Sequence, residues 1–241
     1  SRAGDGAMTA RLGATRAVVF SGYGTVFDGA GAVMRAQDAL GEKAAPLAAL
    51  WQAKRFEYAW LSTITGRRIE MWEITGEALD HALAALGFGR NALLRARLMQ
   101  GQLQAPPFPD IRPVLEALRR ERTRQIGLLS NASVTMLTAA VKAGELYPLF
   151  DALISAEPTG LFKPAPEVYA LAPARFGLAP GEIAYVSAHP WDVAGAAAAG
   201  LAAIWLNRDG ARAEFTWAPP AETIAAPDAL PALLAGPAEA A

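Results

Sequence analysis

Cysteine is absent from the 241-residue chain, and histidine is confined to His81 and His189. Disulfides and thiolate metal sites are therefore excluded, and a structural zinc site lacks ligands. Charge is scarce and balanced: 22 Lys and Arg face 23 Asp and Glu, a formal net charge of −1. Such a surface offers no basic footprint for nucleic acid or for an anionic membrane. Long apolar runs are missing as well, since Ala17-Val18-Val19-Phe20 is far too short for a signal segment or a membrane span. These absences point to a cytoplasmic protein whose partner is a small molecule or a second subunit.

Apolar residues, in contrast, make up 53% of the chain, enough for one core domain carrying an insertion. Ser1 to Ala7 are small and patternless ahead of Met8 and read as a tag, so residues 1–15 are set aside as an N-terminal extension. The Ala/Pro-rich C-terminal tail is expected to end in disorder.

Short apolar runs recur at Ala17–Phe20, Gln125–Leu129, Leu153–Ile154, Ile183–Val186 and Ala202–Leu206. Helical patterns lie between them at Ile111–Arg120, Val134–Ala143 and Pro166–Phe176, with Pro166 and Pro190 suited to first-turn positions. Strands alternating with helices imply an α/β class with a Rossmann-like parallel sheet covered on both faces. Between Gly31 and Pro107 the strand-like runs give way to helical stretches at Leu47–Thr65, Ile69–Leu86 and Asn91–Gln100, divided by Gly66, Gly87 and Gly89. The expected organisation is a core of residues 16–30 and 108–235 with a helical cap, 31–107, inserted after the first strand. His81 and most cap aromatics read as packing residues, with Phe56 set apart as a candidate ligand contact.

In open parallel sheets, functional groups gather at the carboxyl ends of strands. Four loops there carry chemistry: Ser21-Gly22-Tyr23-Gly24-Thr25-Val26-Phe27-Asp28, Ser130-Asn131-Ala132-Ser133, Phe162-Lys163-Pro164, and Ser187-Ala188-His189-Pro190-Trp191-Asp192. Each alone is weak, and Thr25, Ser130 and Asn131 also suit ordinary helix capping. Their order and spacing together carry the signal. The set resembles the four motifs of the haloacid dehalogenase superfamily, in the form found in the 2-haloacid dehalogenases, and Ala49 to Leu61 looks like the first cap helix of those enzymes.

The resemblance, which runs from about Arg16 to Asp209, implies hydrolytic dehalogenation of short 2-haloalkanoic acids to 2-hydroxy acids, with a carboxylic acid as ligand and neither metal nor cofactor. It also implies a homodimer, for which the apolar cap supplies a face. An aspartate at position 21 would attack C2, expel halide and form an ester whose carbonyl then takes up water. Thr25, Ser130 and Asn131 would hold the nucleophile or the substrate carboxylate, and Lys163 would supply positive charge beside them. Tyr169, Ser187 and Asp192 would order Lys163 and the hydrolytic water. Gly22, Tyr23, Phe56, Met71 and Trp191 would form the substrate pocket.

Three positions depart from that pattern. Ser21 replaces the nucleophilic aspartate, and an alkylated serine is an ether with no carbonyl for water to attack. Gln52 stands where the dehalogenases place an arginine that grips carboxylate and receives halide, and an amide brings no charge. His189 stands for asparagine and can position water or act as a base. Mg²⁺-dependent phosphoryl transfer fits less well still. It uses Asp-x-Asp where this chain has Ser21 and Tyr23, and further acids in the fourth loop, where this chain has Ser187 and Asp192 is the only nearby carboxylate.

Two explanations for the missing nucleophile stay open. Ser21 is an introduced replacement that traps a complex, or the chain is a natural non-catalytic relative that binds a small acid or a protein partner. A third reading makes Ser21 an acyl-accepting nucleophile with His189 as base and Asp192 as its orienter.

Overall fold

A computed structural model describes residues 12–235, so the expectations for the tag and the end of the tail lie outside the described residues. Six strands form one parallel sheet: β1 (Ala17–Ser21), β2 (Gln125–Ser130), β3 (Ala152–Ser155), β4 (Ile183–Ser187), β5 (Ala202–Leu206) and β6 (Glu222–Ile224), in the order β3-β2-β1-β4-β5-β6. The helices are α1 (Gly29–Met34), α2 (Gln37–Leu40), α3 (Ala44–Thr65), α4 (Met71–Ala85), α5 (Ala92–Leu103), α6 (Ile111–Glu121), α7 (Val134–Ala143), α8 (Pro166–Tyr169), α9 (Leu171–Phe176), α10 (Pro190–Ala198) and α11 (Leu230–Ala235). Among the described residues, no helix is long and apolar enough to cross a membrane.

β1 shows why the sheet is covered twice. Its side chains alternate, so Val18 and Phe20 join one apolar cluster with Val114, Leu115 and Leu137, while Ala17 and Val19 join another with Val168, Tyr185 and Val193. All five β1 residues are buried, which a central parallel strand requires. A third cluster, with Leu47, Trp51, Leu79, Leu83 and Leu98, holds together the helices inserted between β1 and β2. There the Trp51 indole N–H donates to the Thr75 carbonyl at 2.8 Å and ties α3 to α4.

β1, β2, β3 and β4 each end in a serine: Ser21, Ser130, Ser155 and Ser187. Strand order reverses at β1, because β2 flanks it on one side and β4 on the other. The loops after β1, β2 and β4 therefore meet over one crevice, where ligands bind in open α/β sheets.

Three features depart from the sequence expectation. The helix expected over Pro166–Phe176 breaks at Ala170, because Pro173 has no N–H to give the Tyr169 carbonyl. β6 is a three-residue edge strand, too short for any period to register. Leu12 and Thr15, assigned from sequence to an N-terminal extension, are buried, with the Thr15 hydroxyl bonded to the Leu12 carbonyl at 2.7 Å.

Gly127 on β2 gives a test of the packing, since a Cβ there would lie 2.9 Å from the Phe176 ring and 3.3 Å from the Val19 side chain. Gly127→Ala is expected to lower stability by about 1–3 kcal/mol in urea denaturation, and Phe176→Leu in the same chain to recover part of it.

Candidate active site

The crevice opens as a cavity of about 430 Å³ between the strand ends and α3, lined by Ser21, Gly22, Tyr23, Gln52, Phe56, Met71, Ser130, Asn131, Lys163, His189, Trp191 and Asp192. Twelve residues singled out from sequence thus face one space. Thr25, Tyr169 and Ser187 are fully buried behind it and hydrogen-bond to those that line it.

The loops pack closely because two glycines allow it. A side chain on Gly22 would sit 2.9 Å from Ser130 Oγ, and Gly24 has φ of +89° and abuts the His189 ring. Ser130 Oγ accepts from the Ala132 N–H at 3.1 Å, and Asn131 Oδ1 accepts from the Lys163 N–H at 2.8 Å, which joins the second loop to the third.

The hydrogen bonds around Ser21 have a definite direction. Thr25 Oγ1 accepts from the Ala188 N–H at 2.9 Å and lies 2.5 Å from Ser21 Oγ, and it donates to Ser21 because Ser21 spends its own proton on Ser187. Ser21 donates to Ser187 Oγ at 3.0 Å, and Ser187 donates to Asp192 Oδ2 at 2.8 Å. That carboxylate also accepts from Tyr185 at 2.9 Å and, through Oδ1, from Tyr169 at 2.7 Å, with Lys163 Nζ 3.5 Å away. Lys163 Nζ donates further to the Leu129 carbonyl at 2.7 Å and to the Tyr185 hydroxyl. Leu129 is the residue paired with Ser21 across the sheet, so the ammonium sits one strand away from it.

Burial sets the protonation of this cluster. It pushes the Tyr169 and Tyr185 hydroxyls well above their ordinary range, and the Asp192 charge adds to the effect. It also lowers the Lys163 ammonium, which Asp192 partly offsets. The relay from Ser21 therefore ends on a carboxylate whose oxygens already accept three hydroxyl bonds beside an ammonium.

The reading of Ser21, His189 and Asp192 as a catalytic triad is corrected by this geometry. His189 Nε2 lies 3.1 Å from the Tyr23 carbonyl, which can only accept, so that nitrogen carries the proton. The imidazole makes no hydrogen bond to Ser21 or Asp192 among the described residues. Instead it stacks on Trp191 at 5.8 Å and meets Phe56 edge-on at 5.0 Å. Phe56, Trp191 and Trp60 complete an aromatic wall, with Trp60 5.4 Å from Trp191, so one of the aromatics assigned to cap packing belongs to it.

Among the described residues no group of three or more His, Asp and Glu converges, and the Asp192 carboxylate already has Lys163 as its counter-charge.

Two side chains here escaped the sequence analysis. Tyr185 lay inside an apolar strand run, where its polar tip drew no notice. Arg55 follows Gln52 by three residues on α3, and that spacing on a helix is the signal that could have found it. It is buried, lines the cavity, and donates from Nη1 to Gln102 Oε1 at 2.9 Å.

Comparison with known proteins gives consistent matches. A family model described as haloacid dehalogenase-like hydrolase matches residues 15–200. (S)-2-haloacid dehalogenase 1 of Pseudomonas sp. strain CBS-3 is 35% identical over 219 residues, covering 91% of this chain and 96% of the relative. (S)-2-haloacid dehalogenase 4A of Burkholderia cepacia is 36% identical, covering 85% and 88%. Among solved structures, the Xanthobacter autotrophicus L-2-haloacid dehalogenase with chloropropionic acid covalently bound superposes with a TM-score of 0.84 at 31% identity, over 93% of this chain and 100% of that one.

Two tests follow from the buried cluster. Asp192→Asn leaves Lys163 without its counter-charge and is expected to cost about 3–5 kcal/mol of unfolding free energy, part of it regained in Asp192→Asn combined with Lys163→Met. The His189 imidazole is held below its ordinary range, chiefly by burial. The unfolded chain therefore takes up that proton more readily, and His189 weakens the fold as pH falls below about 6.5. His189→Asn should lessen the drop in melting temperature between about pH 7 and 5, and an unchanged slope would show that this ring does not contribute.

Proposed function

This chain belongs to the haloacid dehalogenase-like hydrolases, and we propose that its pocket receives a short 2-substituted carboxylic acid, a 2-haloalkanoate or a 2-hydroxy acid, without carrying a haloacid through hydrolysis. One observation supports this above all: the hydroxyls and ammonium that would serve a carboxylate nucleophile stand assembled beside an aromatic-walled cavity, while position 21 offers them an alcohol.

With aspartate at 21, a carboxylate oxygen forms a bond to C2 as the carbon–halogen bond breaks and halide leaves. Water then adds to the aspartyl carbonyl, the acyl–oxygen bond breaks, and the 2-hydroxy acid departs with the carboxylate regenerated. Serine fails at both steps. Its hydroxyl stays protonated, because an alcohol gives up its proton only to an adjacent base and the partners of Ser21 Oγ are the Thr25 and Ser187 hydroxyls. An ether formed at C2 would in any case offer water no carbonyl. The chain as written is thus a binder of acids of the kind that its relatives are named for, whether Ser21 was introduced or arose naturally.

Lys163 and Ser130 would face the bound acid from the core, and Phe56, Met71 and Trp191 would enclose its carbon chain. The apolar enclosure excludes water, so each polar contact inside counts for more than it would in solution.

Ser21→Asp is the direct test. The Ser21 chain is expected to release no chloride from (S)-2-chloropropionate and the variant to release it over many turnovers. Absence of chloride from the folded variant at high enzyme loading would end the haloacid reading, and turnover by the Ser21 chain would end the claim about Ser21.

A further inference from the structure

Gln52 leaves the expected anion-gripping position neutral, yet the cavity is not without a cation. Arg55 lies one helical turn further along α3, is 8% exposed, and lines the same space. Among the described residues no carboxylate reaches ion-pair distance of it, although Asp28 and Asp209 also line the cavity. Its partners are neutral. Nη1 donates to Gln102 Oε1 at 2.9 Å, the Trp51 ring lies 5.4 Å from its carbon, and buried Nε finds no acceptor.

The arginine is held in place as well as unpaired. Gln102 is itself buried, and its amide donates to the Gly29 carbonyl at 3.2 Å, while Tyr23 donates to the Gln102 backbone carbonyl at 2.9 Å. A glutamate at 102 would have neutralised the guanidinium, whereas the amide fixes it and leaves its charge available. Burial lowers its pKa only to about 10, so it stays a cation at neutral pH. Trp191, which also lines the cavity, has a buried indole N–H with no acceptor. Arg55 is thus a cation in the cavity lining that the protein leaves without a carboxylate partner, the complement of an anion.

We propose that Arg55 is the anion-binding residue of this pocket, holding the carboxylate of the 2-substituted acid from one turn beyond Gln52. A charge that destabilises the empty protein becomes paired only when the ligand is present. The assignment rests on the acid-binding reading above and adds to it which residue recognises the acid.

Calorimetry and tryptophan fluorescence with L-lactate and (S)-2-chloropropionate test it in wild type, Arg55→Met and Gln102→Glu, alongside melting temperatures without ligand. The wild type is expected to bind both acids, and both variants to bind them about ten- to a hundredfold more weakly. Their ligand-free melting temperatures should hold or rise, because one removes an unpaired buried charge and the other supplies its partner. Wild-type binding that persists in Arg55→Met overturns the role of Arg55 and leaves the acid site standing. Should Arg55→Met fail to fold, undiminished binding by Gln102→Glu overturns it equally. A wild type that binds neither acid removes the acid site itself, and Arg55's role with it.

Discussion

The active end of this molecule depends on one buried charge pair, Lys163 with Asp192, 3.5 Å apart and both almost wholly removed from water. Such a pair persists only if its remaining donors and acceptors are satisfied, and here they are. Tyr169, Tyr185 and Ser187 fill the carboxylate, while the Leu129 carbonyl and Tyr185 take the ammonium. These bonds join β2, β4, the loop before α8 and the start of α10. The geometry around Ser21 is inherited from them.

Serine at the end of β1 changes both chemistry and electrostatics. An aspartate there would have placed a second negative charge near Lys163. With an alcohol instead, the buried cluster holds one ammonium and one carboxylate, and Arg55 stands outside it unpaired. On the proposed reading, the cavity is thereby less able to make and hydrolyse an ester and better matched to an anion that arrives from solution.

Much of the site was legible because strand ends are legible. Once Ala17–Phe20, Gln125–Leu129 and Ile183–Val186 read as parallel strands, the residues after them had to share an edge, and Ser21, Ser130 and Asp192 do. Phe56 was recoverable from its place on the first long inserted helix. Arg55 and Tyr185 were not recovered, because a helix period marks which positions share a face but not which face meets the core loops. A tyrosine in a strand run looks like any other buried aromatic until its hydroxyl is seen to have partners. Residues 12–15 were misassigned for a related reason: Leu12 packs on the sheet through contacts distant in sequence.

By itself, the sequence determined the parallel α/β architecture, the inserted helices, and the absence of a carboxylate nucleophile at position 21, since each follows from local pattern or residue identity. Tertiary structure alone decided three further matters. His189 turns to the Tyr23 carbonyl and not to Ser21, the Ser21 relay ends on a saturated Asp192, and the positive charge missing at Gln52 reappears at Arg55. The physical reason is common to all three. Proton direction, the filling of a carboxylate's oxygens and the pairing of a buried charge depend on which groups meet across the fold, and these groups are brought together from loops and helices far apart in the chain.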